Sequence, residues 1–190
     1  MTKGYVRTAN HADIPLIASD MREADVAEVR ASSGHTPEEA LETGLNQTFG
    51  ITKTICLPND LPVGMFGVVP ASQPRVGVVW MLAANNIKSI HRQFLRGSKE
   101  HLEVLCEGYD LVFNFTDARN SVHHRWIKWA GFKIINRCEN YGVEQRPFLE
   151  FVRIVENRHV WTHHSYVRAL RGREHGRHQQ SKRSCREKSG

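Results

Sequence analysis

Residues 110–135 read DLVFNFTDARNSVHHRWIKWAGFKII, and the order of residue types in this stretch decides the fold. Leu111, Val112, Phe113, Phe115 and Thr116 are apolar or β-favouring, which predicts a strand buried on both faces. Asp117 to Asn120 interrupt it with polar residues, and Asp117 or Asn120 can cap the helix that follows. Val122, Trp126 and Trp129 recur at helical spacing and are predicted to face inward. Gly131 ends the helix, and Phe132 to Ile135 begin another strand. The whole is a compact βαβ-like unit.

Working outward, the preceding segment from Ile87 to Glu107 predicts a helix, with Ile87, Ile90, Phe94, Leu102 and Leu105 on one face and Gly108 as its stop. Gly97 inside it costs roughly 1 kcal/mol relative to alanine, which predicts a backbone contact or a kink there. Upstream, Arg75–Ala84, Val63–Val69 and Ile51–Leu57 read as strands joined by the short polar turns 58–62 and 70–74, so neighbours should pair antiparallel. Thr36-Pro37-Glu38-Glu39 is a helix start, because Thr36 can cap, Pro37 suits the first turn and the glutamates favour the positive end of the dipole. Ile14, Ile17, Met21, Val26 and Val29 mark an amphipathic segment with a break near Asp20 to Asp25, and Tyr5–Thr8 predicts a short first strand. Downstream, 136–142 reads as a polar turn and Phe148–Val155 as a closing strand. The order is β, α, α, β, β, β, α, β, α, β, β: a mixed, largely antiparallel central sheet with helices on both faces.

At 190 residues and 40% hydrophobic composition, the chain has material for one well-buried core. Its formal charge of +6 is local to one end. Residues 156–190 carry nine Lys or Arg against three Asp or Glu, and residues 1–155 carry seventeen of each. The expected organisation is a domain over 1–155 and a basic, His- and Arg-rich tail over 156–190, partly helical around Val160, Trp161, His164, Val167 and Leu170 and then disordered. Cys56, Cys106, Cys138 and Cys185 are widely spaced and predict buried thiols in a reducing cytoplasm. No apolar run approaches the roughly 18 residues of a membrane helix, so no membrane partner is expected.

Asn120 followed eleven residues later by Gly131-Phe132, within this element order, resembles the GCN5-related N-acetyltransferase (GNAT) family over about residues 5–155. The stretch is also similar to small acetyltransferase-like proteins of short-tailed bacteriophages, described as internal virion or virion-assembly proteins. The residues carrying that second likeness are Glu107-Gly108-Tyr109-Asp110, Asn120, His123, Arg125-Trp126-Ile127-Lys128 and Gly131. It implies a host-cytoplasmic or virion location and other virion or host proteins as partners.

The family resemblance implies acetyl-CoA as cofactor, held where the strand ending at Leu82, Ala83 and Ala84 meets the next helix. Backbone N–H groups of a glycine-rich loop at a helix N-terminus would hold the pyrophosphate. The loop's pattern is replaced here by NNIKSIHRQF, in which Lys88, His91 and Arg92 are the charged candidates and glycine is absent. The family's tyrosine acid, about seven residues after the asparagine, is here Ile127, which carries no proton. His123 is the substitute if it faces the groove, so the candidate site residues are Asn120 and His123, with Leu82, Ala83, Ala84, Lys88, His91, Arg92 and Asn120 at the cofactor. Glu28, Glu38 and Glu39 lie where the fold walls its acceptor side, and the sequence singles out none of them as a base.

These departures favour a GNAT fold repurposed for virion assembly. An active N-acetyltransferase of an amine or protein is the alternative. A third reading is nucleic-acid association through Arg168, Arg171, Arg173, Arg177, Lys182, Arg183 and Arg186, whose phosphate contacts would be salt-sensitive. His159, His163, His164, His175, His178 and Cys185 match no recognised zinc spacing, so no metal is expected.

Overall fold

The computed structural model describes residues 4–47 and 52–155, and for residues 91–96 the backbone only. The expected tail features, including the seven basic residues, the histidines and Cys185, lie outside the described residues.

The elements run β1 (Tyr5–Thr8), α1 (Asp13–Ala18), α2 (Glu23–Ser33), α3 (Pro37–Gln47), β2 (Lys53–Cys56), β3 (Pro62–Pro70), β4 (Val76–Ala83), a 3-10 turn (Asn85–Ile90), α4 (His91–Leu105), β5 (Leu111–Asp117), α5 (Ser121–Trp129), β6 (Lys133–Tyr141) and β7 (Arg146–Ile154). The seven strands form one sheet in the order β1-β2-β3-β4-β5-β7-β6. All neighbours are antiparallel except β4 and β5. The mixed α/β architecture is thus the expected one.

Local chemistry explains the helix ends. Thr36 and Glu39 form a reciprocal capping box, with the Glu39 N–H donating to Thr36 Oγ1 at 3.2 Å and the Thr36 N–H donating to Glu39 Oε2 at 2.8 Å. Asn120 caps α5, its side chain accepting from the His123 N–H. Gly131, at φ 88°, supplies the left-handed residue that turns the chain into β6.

Apolar layers cover both faces of the sheet. On one side Val68, Leu102, Leu105, Val112, Ile127, Phe132 and Phe151 pack beneath α4 and α5. On the other, Ile14, Ile17, Leu41 and Met65 pack with Trp80 and Leu82 beneath α1 and α3. Two acids are tied in by arginine. Asp13 bonds Arg7 and the Thr54 hydroxyl. Asp25, its pKa raised by burial against the pull of Arg22, bonds Arg22 and the Ala83 N–H.

Three expectations need correction. Val122 and Trp129 are 59% and 40% exposed, and the inward face of α5 is Ile127 and Ala130 with His123 and Trp126 half-buried. The periodicity fits that stripe equally well, and Lys99 covers part of the Trp129 ring, with Nζ 4.6 Å from its centroid. The segment 136–141 is strand, because β6 is an edge whose exposed face accepts polar side chains; the turn begins at Gly142. The helix after β4 is preceded by a separate 3-10 turn, and α4 runs unbroken through Gly97, which lines a cleft and where an added Cβ would make only ordinary contact with the His101 ring. Cys56 and Cys106 are buried, Cys138 is half-buried, and no disulfide joins them.

Candidate functional site: the gap between β4 and β5

β4 and β5 pair only over Val76–Val78 and Leu111–Phe113, although β4 continues to Ala83 and β5 to Asp117. Beyond Phe113 the two strands part. Their outer edges stay paired, β4 to β3 and β5 to β7, so the gap is bounded by backbone that has lost its ladder.

The Ala84 N–H bonds Val63 O, so alternate residues Val79, Met81 and Ala83 turn their backbone groups to the gap. In a continuing parallel ladder the Phe115 N–H would bond the Val79 carbonyl directly. Instead the Asn114 side-chain amide inserts between them: its Nδ2 donates to Val79 O and its Oδ1 accepts from the Phe115 N–H, both at 2.7 Å. At the open end the Ala83 N–H donates to Asp25 Oδ2 at 3.0 Å, the Arg22 N–H donates to Ala83 O at 3.0 Å, and the Asp117 N–H donates to Glu28 Oε2 at 3.0 Å. Among the described residues nothing bonds the groove-facing N–H or C=O of Met81.

The turn after β4 is similarly self-satisfied. The Asn85 N–H donates to Asp20 O at 2.8 Å, the Asn86 N–H to Asp20 Oδ2 at 3.4 Å, and the Ile87 N–H to Ala84 O at 3.2 Å. A carboxylate of the chain itself thus sits where the leading amides of this turn would meet an outside anion.

Of the residues singled out by sequence, Leu82 lies on the cleft wall, and Ala83 and Ala84 are buried with their backbone bonded. Lys88 is exposed on the turn, and His91 and Arg92 open α4, their side chains outside the described set. Asn120 and His123 come together with a residue the sequence left undistinguished, Glu28 of α2. Glu28 Oε2 accepts from the Thr116 hydroxyl at 2.9 Å and from Asn120 Nδ2 at 3.3 Å, besides the Asp117 amide. The Thr116 hydroxyl has one proton and gives it to Glu28, so it accepts from the Nδ1–H of His123 across 3.2 Å. His123 Nε2 is then the bare nitrogen.

Burial sets the charge states here. It pushes the Glu28 carboxyl up to about 7, against the pull of the Asp117 amide, the Thr116 hydroxyl and Asn120. Burial also takes His123 down to about 3, with the charges of Arg22 and His124 acting in the same direction. At neutral pH the pair is a half-ionised carboxyl and a neutral imidazole joined through one hydroxyl, in which Glu28 alone alternates between proton acceptor and donor. Ile127 is fully buried in the core and supplies none.

A cleft of about 1280 Å³ follows the gap, walled by Gly97, Ser98 and His101 of α4 on one face and by Glu28, Gly44 and Trp80 on the other. Its charged lining among the described residues is Glu28 and Glu100, with no Lys or Arg. The β6–β7 turn is fastened to the end of α2, where the Val143 and Glu144 amides donate to the carbonyls of Ser32 and Ala31 at 3.3 and 3.2 Å. No group of three His, Cys, Asp or Glu among the described residues is arranged to hold a metal.

No protein-family model matches the sequence, and no curated protein matches it. Solved structures do. An acetyltransferase of the GNAT family from Bacillus anthracis superimposes with a TM-score of 0.61 at 9% identity, over 82% of this chain and 96% of that one. The fold is that of the GNAT acetyltransferases. The same GNAT architecture appears in the ribosomal-protein-S18-alanine N-acetyltransferase from Escherichia coli, with a TM-score of 0.58, 10% identity, and 84% and 99% of the two chains covered. A third GNAT neighbour, AAC(6')-Ib in complex with ribostamycin and coenzyme A, gives 0.58 at 15% identity over 80% and 93%.

Sequence reasoning passes over Asn114 and names Glu28 only beside Glu38 and Glu39, with nothing to set it apart. Asn114 left a signal, one amide within an apolar strand. Glu28 left none, because a glutamate on an amphipathic helix is ordinarily solvated.

Proposed function

We propose that this chain is a GNAT-fold protein repurposed as a structural component, acting in phage virion assembly or as an internal virion protein, and that it is not an efficient acetyl-CoA enzyme. One observation carries the non-enzymatic half: backbone groups bordering the β4–β5 gap are bonded by Asn114, Asp25 and Glu28, and the leading amides of the following turn by Asp20. A polyanionic cofactor arriving there would displace internal bonds and meet carboxylates. The virion setting, with virion or host proteins as partners and packaged nucleic acid for the basic tail, rests on the sequence likeness around Asn120, His123 and Arg125–Lys128. The test is acetyl transfer from labelled acetyl-CoA to a panel of amines and to host lysate. The expected result is no transfer above the uncatalysed background, and transfer above it overturns the proposal.

A second reading, an acetyl-CoA-dependent N-acetyltransferase of an amine, is favoured by Glu28 alone. A carboxyl near 7 beside the cleft is suited to take a proton from an attacking ammonium. In that reading Glu28→Gln abolishes the transfer while leaving the chain folded.

A further inference from the structure

We propose that the outer face of α5, together with Lys99 of α4, is a binding surface for single-stranded nucleic acid carried by the domain itself. It goes beyond the structural role proposed above and requires neither the tail nor an acyl donor.

The charge of the domain is lopsided. Residues 118–138 carry five Lys or Arg and no Asp or Glu, which leaves twelve against seventeen in the rest of residues 1–155. The stretch holds α5, the turn at Gly131 and the first part of β6. A domain that is neutral as a whole thus has one basic side, and an anion is drawn to it.

The cations on that side have no acids of their own. Among the described side chains, every arginine but Arg125 forms an ion pair with a carboxylate. Lys99 and Lys128 likewise form none with a described residue. The acids that flank the stretch, Asp117 and Glu139, are paired with Arg119 and Arg137. On α4, Glu103 lies toward Arg153 and Glu100 lines the cleft. Lys128 complements the dipole in the last turn of α5, but that does not account for Arg125 in mid-helix or for Lys99 on another helix.

The arrangement is that of a binding strip. At 3.6 residues per turn, Val122, Arg125, Lys128 and Trp129 fall within about 120° of the circumference of α5. All four are exposed, and the buried Ile127 lies on the other side of the helix. Lys99 Nζ lies 4.6 Å from the centroid of the Trp129 ring, and the indole is still 40% exposed, so cation and ring form one surface element. None of these side chains lines the cleft. A single strand needs this combination, because its phosphates meet the cations and an unstacked base lies on the indole. A duplex keeps its bases stacked on one another and has no use for Trp129. An anionic membrane surface would favour a broader apolar stripe than Val122 and Trp129 provide.

The test measures binding of a labelled 20-nucleotide oligothymidylate to the full chain by fluorescence anisotropy, with no acetyl-CoA present. Lys99→Gln, Arg125→Gln and Lys128→Gln combined should weaken binding at least about tenfold at about 50 mM salt. The same variant should lower the slope of log affinity against log salt by about 2, the share of three phosphate contacts to a single strand. The tail is common to both proteins, so the difference belongs to the α5 face. Trp129→Leu should weaken the oligothymidylate at least about fivefold and leave a duplex of equal length unchanged. Cross-linking of the wild-type chain to an iodouracil oligonucleotide uses no variant and should place adducts within residues 121–133. Unchanged affinity in the triple variant, equal losses for single strand and duplex in Trp129→Leu, or adducts confined to residues 156–190 overturns the surface. So does an absence of oligothymidylate binding up to about 100 μM protein, and phosphatidylglycerol vesicles held in its place through the same three cations would assign the face to a membrane. No acyl donor is present, so a failure here leaves the question of acetyl transfer untouched.

Discussion

Replacing Glu28 by glutamine should change how stability depends on pH more than it changes stability itself. Glutamine keeps an oxygen to accept from Thr116, Asp117 and Asn120 but cannot ionise. In the wild type the carboxyl titrates at about 7 when folded and near the ordinary 4.5 when unfolded, burial being the main cause. Between those values the folded chain holds a proton that the unfolded chain has lost. Raising the pH through this window therefore favours unfolding, and the loss is complete above about 7. The interval corresponds to about 3 kcal/mol, trimmed to about 2–3 kcal/mol because the side chain is not wholly removed from water. His123 works in the opposite sense, since it is neutral when folded down to about 3 and its unfolded form protonates below the ordinary 6.5. Wild-type stability alone would mix the two trends. The difference between wild type and Glu28→Gln isolates the first. Urea unfolding followed by tryptophan fluorescence from pH 4.5 to 8 should show the variant gaining about 2–3 kcal/mol on the wild type across that range. Parallel curves would refute the reasoning, because they would mean that Glu28 ionises normally in the folded state.

His123→Asn, which retains a donor toward Thr116, should flatten the loss of stability below pH 6.5, by up to several kcal/mol at pH 3; an unchanged acid limb in the same urea experiment would show that the imidazole is not held neutral. Asn114→Leu removes the amide bridging Val79 and Phe115 and should cost about 1–3 kcal/mol. If denaturant unfolding instead finds no loss, the ladder closes on itself and the side chain does not hold the strands apart. Gly142→Ala places a methyl 2.3 Å from the Ala31 carbonyl oxygen at a φ of 68°, so the β6–β7 turn should leave α2 at a cost of about 1–3 kcal/mol. Hydrogen exchange should then show the Val143 and Glu144 amides losing protection, and retained protection would count against the clamp.

Most of the fold was legible because its signals are local. A two-sided apolar strand at Leu111–Thr116, a capping asparagine and a left-handed glycine at Gly131 are each fixed by neighbours in sequence, and together they point to the GNAT architecture. The buried face of α5 is not legible, because Val122, Trp126 and Trp129 and the buried stripe around Ile127 and Ala130 share one helical period. The length of β6 is not legible either, because an edge strand with one wet face can be as polar as a turn. The site was less legible still. Nothing in the sequence around Glu28 says that a strand 88 residues away brings a threonine hydroxyl to its carboxylate. Asn120 and His123, both readable in the sequence, come together around Thr116, while Glu28, which gives that corner its electrostatic character, lies on α2. The substitution by Ile127 and the lack of glycine after Ala84 were readable, and both are matched by internal contacts: a buried isoleucine in one place, and Asp20 against the turn amides in the other.

The proposed role turns on whether a β4–β5 gap whose backbone is bonded internally at Val79, Ala83 and Asp117 still takes up acetyl-CoA. Isothermal titration of acetyl-CoA into the full chain at pH 7.5 measures this most directly. The account predicts a dissociation constant weaker than about 1 mM, and saturable binding at about 1 μM would contradict it.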